Sequence, residues 1–134
     1  MLTENKTTAQ KKYDEAIRFM SNARKELQQA KKNGKFYHDK KHLSVACGIA
    51  YKSVLKALEG FFILRNIANP KGRVSIQYYQ SHLATLDKKM LDYLNSAYQI
   101  LHLYGYYDEL NNVKIIQAGF EEAQYIIHKL KQSL

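Results

Sequence analysis

Apolar residues that return every three or four positions constrain this chain more than any other feature of it. Tyr13, Ala16, Met20, Ala23, Leu27 and Ala30 follow one another at 3-4-3-4-3 spacing, with Ile17 and Phe19 widening the stripe and charged side chains between them. On a backbone of 3.6 residues per turn this lines one face, so it predicts an amphipathic helix from about residue 8 to residue 33, preceded by a flexible tail over residues 1–7. Asn33-Gly34 supplies a stop, because glycine takes the left-handed conformation without a Cβ clash. Asp39 caps a second helix, in which Leu43, Ala46, Cys47, Ala50, Val54, Ala57, Leu58, Phe61 and Leu64 share a broad face. Ile49, Leu55 and Phe62 extend that face so far around the helix that its place is the centre of a bundle. The small residues Ala46, Gly48 and Ala50 predict a close neighbour there.

Asn69-Pro70-Lys71-Gly72 reads as a loop, since proline disfavours helical geometry in the residue before it. Ser75 then caps a third helix carrying Ile76, Tyr79, Leu83 and Leu86. Asp87 either caps a fourth helix or bends one longer helix, and the break is favoured, with Leu91, Leu94, Tyr98, Leu101 and His102 as the fourth helix's core. Gly105 ends that segment, and Asn111 or Asn112 caps a last helix with Ile115, Ile116, Phe120, Ala123, Ile127 and Leu130 inside. No strand alternation or internal repeat competes. The expectation is an all-α fold: a single antiparallel bundle of about five helices on a four-helix core, one domain over residues 1–134.

Cys47 is the single cysteine, which excludes an intrachain disulfide framework. The first dozen residues lack the apolar core of a signal peptide, and no stretch approaches the roughly 18 apolar residues of a membrane span. A cytoplasmic protein without membrane contact is expected. Of the formal charge of +9, residues 1–66 hold 14 Lys/Arg against 6 Asp/Glu, and residues 67–134 hold 7 against 6. A basic half of this kind attracts phosphate, nucleic acid or an acidic protein surface.

Few residues assemble into chemistry. His38 and His42 stand one helical turn apart, half of a metal site at most, with lysines 40 and 41 between them repelling a dication. Cys47 has no activating base near it in sequence, and no phosphate-cradling glycine motif or nucleophile elbow is present. Neither a catalytic constellation nor a cofactor is predicted. Lys31, Lys32, Lys35, Lys40 and Lys41, interleaved with Phe36, Tyr37 and His38, have the pattern of a phosphate or nucleic-acid site, with Tyr37 as a stacking ring. The same lysines suit the negative C-terminal end of the first helix, where cations are favoured in any case. Of eleven tyrosines, Tyr104, Tyr106 and Tyr107 surround Gly105 and can line a cleft or a protein interface.

Residues 36–42 (Phe36-Tyr37-His38-Asp39-Lys40-Lys41-His42), with the following run Ala46-Cys47-Gly48-Ile49-Ala50-Tyr51-Lys52-Ser53, resemble a small bacterial family of helical-bundle proteins that carries no established activity. Leu103-Tyr104-Gly105-Tyr106-Tyr107 and Gly119-Phe120-Glu121-Glu122-Ala123 match the same family's C-terminal pattern. The small-residue and aromatic pattern of residues 46–58 is also similar, more distantly, to the second helix of HEPN-like domains. Active members of that superfamily cleave RNA with an arginine followed four to six residues later by a histidine. Here Arg65 leads into Pro70, Lys71 and Gly72, Arg73 precedes His82 by too wide a gap, and no arginine follows Arg73. The HEPN-like resemblance therefore implies a non-catalytic, dimerising or partner-binding version. The favoured expectation is a non-enzymatic interaction module that binds a second copy or another protein. The alternative is a nucleotide- or RNA-binding protein working through the lysine-rich turn.

Overall fold

The computed structural model describes residues 2–134 and carries the 3-4 periodicity into five helices. These are α1 (Leu2–Ala30), α2 (Lys40–Leu64), α3 (Ile76–Leu86), α4 (Lys88–Ala97) and α5 (Val113–Ser133). α4 runs on without a break into a π-helical segment, Tyr98–Tyr107. Between α1 and α2 lies a hairpin absent from the sequence expectation: β1 (Lys32–Asn33) pairs antiparallel with β2 (Phe36–Tyr37).

On α1, Ala16, Met20, Ala23 and Ala30 are buried with Ala9, while Ile17, expected to widen the stripe, faces solvent. Of the expected tail, residue 1 lies outside the described residues and residues 2–7 are helical. The Thr7 and Thr8 hydroxyls donate to the carbonyls of Thr3 and Glu4, and the Asn5 side chain donates to Asn66 Oδ1 at 2.8 Å. The helix stops at Ala30 rather than residue 33 because Lys31 enters the left-handed region at φ 54°. Gly34, at φ 64°, is the first residue of the two-residue hairpin turn, where a II′ turn takes glycine.

α2 is the central helix, packed against α1, α5 and the π-helical segment. Asp39 caps it by accepting from the amides of Lys41 and His42 at 2.9 and 3.0 Å. Ion pairs Lys12–Glu59 and Lys56–Glu15, at 3.1 and 3.4 Å, lace α1 to α2 along the outside. Ser75 occupies the N-cap position of α3 but makes no capping bond. That helix is held instead by Tyr79 and Leu83 and by Phe62, whose ring centre is 5.6 Å from that of Tyr79. Asp87 breaks the chain as expected and caps α4 through the Met90 amide at 3.0 Å.

Three core assignments shift, the first at Leu86, which ends α3 43% exposed. Met90 and Ala97 are buried on α4 where Leu91 was expected, and on α5 Ile115 is left 37% exposed while Ile126 joins Ile116, Phe120, Ala123, Ile127 and Leu130 inside. α4 covers its buried positions against α3, α5 and the π-helical segment, and α5 its own against α2 and α4. The buried residues of all five helices join in one hydrophobic cluster. No helix of the described residues is long and apolar enough to cross a membrane.

Candidate functional site

A groove of about 470 Å³ lies between α2 and the π-helical segment. Its origin is a pair of reciprocal close approaches. Gly105, expected to end the fourth helix, is instead buried in it: a Cβ there would come within 2.7 Å of Cys47 Cβ. From the other side, a Cβ at Gly48 would come within 2.9 Å of the Tyr106 ring. The segment continues to Tyr107 because its backbone has widened, as the Asp108 amide donating five residues back to the Leu103 carbonyl at 2.9 Å shows.

A turn of that width brings residues four and five apart onto one face, and this builds the aromatic floor. His102 has its ring centre 5.2 Å from Tyr98, 6.1 Å from Tyr106 and 5.0 Å from Tyr107 on its own segment. Tyr51 of α2 stacks on it at 4.9 Å. Val45, Tyr106 and Tyr107 stand open to solvent at the mouth, 44%, 43% and 65% exposed, and Lys52 and Arg73 supply two cations on the walls. The Ser44 hydroxyl donates to the Tyr106 carbonyl at 2.8 Å and fixes the mouth to the start of α2.

Burial governs the titratable groups here. It pushes the Tyr51 phenol well above its ordinary range and the Cys47 thiol up to about 12. It also lowers His102, and the Arg73 charge adds to that effect. All three shifts favour the neutral forms, so the groove presents uncharged rings framed by two fixed positive charges.

Tyr106 and Tyr107 thus meet in the expected cleft, whereas Tyr104 does not line it. The sequence reading missed Tyr51, Lys52, Arg73 and His102, which come from three elements. The available signal is the recurrence of rings at 98, 102 and 106–107, which a helix ended at Gly105 splits between two segments.

The lysine-rich turn divides. Lys31, Lys32 and Tyr37 line a second groove, of about 530 Å³, with Arg24, Leu27, Gln28 and Gln117. Lys35, Lys40 and Lys41 do not line it. Tyr37 is buried beneath the hairpin rather than exposed for stacking, and Phe36 is the ring left half in solvent. His38 and His42 do not converge: His42 Nδ1 lies 2.6 Å from Glu26 Oε1, while His38 precedes the helix.

A family model described as a Domain of unknown function (DUF5618) matches residues 11–132. The solved structure of a protein of unknown function from Dyadobacter fermentans is 35% identical, has a TM-score of 0.85, and is matched over 94% of this chain and 98% of that one. No curated protein matches the chain.

Proposed function

The chain belongs to the DUF5618 family, and from that premise we propose that it is a non-enzymatic interaction module of the cytoplasm, docking an acidic, apolar-anchored segment of a partner protein in the aromatic groove. The observation that carries this is the exposure of Val45, Tyr106 and Tyr107 together at the mouth of one cleft. Large apolar side chains scattered singly need no explanation, but several converging on one concave site mark a contact surface. Tyrosine is among the residues that most often dominate such contacts.

Charge selects the partner. Lys52 and Arg73 line the groove and no carboxylate does, so a second copy placed there would bring like charges together, whereas an acidic segment is attracted. The neutral states of Tyr51 and His102 suit a surface that is desolvated on contact, since uncharged rings lose little on leaving water. The buried, unpaired Cys47 thiol agrees with a reducing compartment.

The test is affinity purification of the full chain from the cells that make it, with size-exclusion and light scattering, beside Tyr107→Ala and Arg73→Glu variants. A stoichiometric protein partner with an acidic segment, retained by the parent chain and lost from both variants, is expected. A chain that elutes alone as a monomer, or a partner indifferent to both substitutions, overturns the reading. A dimer that dissociates in Tyr107→Ala keeps the groove but replaces the acidic partner with a second copy.

A further inference from the structure

We infer that the second groove, at the C-terminal end of α1, is a binding site for a compact phosphate monoester. Three cations line it, Arg24, Lys31 and Lys32, and no carboxylate does. The ordinary explanation for lysines at such a place is that they serve the helix end, whose last carbonyls need donors. Here two of those carbonyls already have backbone donors: the Lys31 amide donates to the Gln28 carbonyl at 3.3 Å and the Asp39 amide to the Ala30 carbonyl at 2.9 Å. The lysine side chains are called on by neither of these carbonyls.

Their neighbours do not neutralise them either. Among the described residues neither Lys31 nor Lys32 has a carboxylate within ion-pair distance, and Glu26, on the same stretch of α1, is engaged by His42 at 2.6 Å. Arg24 uses one nitrogen on Gln124 at 3.4 Å, leaving other N–H groups of its guanidinium fork. A phosphate monoester carries close to two negative charges at neutral pH and three strong acceptor oxygens, a match for converging lysine and arginine donors. The rest of the lining suits the ester's other half: Leu27 gives apolar contact, and the amides of Gln28 and Gln117 can donate or accept. Tyr37, whose phenol burial holds above its ordinary range, adds no negative charge.

The site is pre-formed by long-range ties. The Tyr37 amide donates to the Asn111 carbonyl and the Asn111 side chain returns a bond to the Tyr37 carbonyl, both at 2.8 Å, while the Val113 amide donates to the Lys35 carbonyl at 2.9 Å. These bonds hold the hairpin against the start of α5, which brings Gln117 opposite the two lysines.

The experiment is a titration of the full chain with inorganic phosphate, glucose 6-phosphate and adenosine 5′-monophosphate, followed by backbone amide NMR. Saturable shifts at Gln28, Lys31, Lys32 and Tyr37 are expected, with affinity about tenfold weaker in Lys31→Ala plus Lys32→Ala. Lys40→Ala plus Lys41→Ala, which removes the same charge outside the groove, is expected to leave affinity within twofold or so of the parent. Tighter adenosine 5′-monophosphate than sugar phosphate identifies a planar ester resting on Leu27; equal affinities place recognition on the phosphate alone. No saturable shift with any of the three, or equal weakening by the two double variants, overturns the site, because the lysines then act only as diffuse charge.

Discussion

At position 105 there is room for a hydrogen and little else. A methyl group on Gly105 would overlap Cys47 on the facing helix, and the obstacle lies mid-helix in α2, where it has little freedom to move aside. Gly105→Ala is expected to destabilise the fold by about 1–3 kcal/mol, as overpacking of a tight contact does, measured by urea unfolding. Gly48 faces the edge of the Tyr106 ring, an exposed side chain that can turn toward solvent, so the same change there displaces Tyr106 at smaller cost. Asp39 carries a separate, pH-dependent effect. The amide of His42 first, then the charge of His42 and the amide of Lys41, hold its carboxyl below the ordinary value of 3.8. A group depressed on folding adds stability that is complete above its unfolded pKa and disappears as pH falls through the folded one. Asp39→Asn keeps a capping oxygen, so stability near neutrality should hold while the acid-side loss below about pH 4 becomes shallower; thermal unfolding across that range checks it.

Among the elements, α4 depends most visibly on a single side chain at its start. Asp87 accepts from Met90 and also faces Lys129 of α5 at 3.7 Å. Asp87→Ala is expected to cost about 1 kcal/mol by chemical denaturation, most of it from the cap, since a half-exposed ion pair adds little. The five helices were legible because each buries a stripe whose spacing matches its turn, and Asp39, Asp87 and Asn112 announce starts by chemistry that needs no tertiary context. The hairpin was not legible: its strands are two residues each, too short for any alternation, and are held by Asn111–Val113, far along the chain. Nor was the π-helical stretch, because Gly105 looks the same in sequence whether it stops a helix or admits a neighbour. Of the groove, Tyr106 and Tyr107 could be picked out by clustering, but Tyr51, Arg73 and His102 meet them only through packing.

For the whole molecule, Lys31, Lys32, Lys35, Lys40 and Lys41 gather at one end of the bundle, where α1 stops, α2 begins, the π-helical segment finishes and α5 starts. Both grooves open near that end. At the opposite end the Asn5 side chain donates to Asn66 beside a smaller cleft lined by Lys6, Leu64, Arg65 and Ser133. The bonds between Tyr37 and Asn111 join residues 74 positions apart, and this separation sets an order of assembly. Closing so long a loop is entropically expensive and is rewarded only after α2, α4 and α5 have docked, whereas the α1–α2 pairing is local. Asn111→Ala should therefore accelerate unfolding and leave the folding rate nearly unchanged, a φ-value close to zero in stopped-flow chevron measurements. The hairpin is then the last part to arrive and the first to leave, and the chain acquires its lysine-lined groove only once everything else is in place.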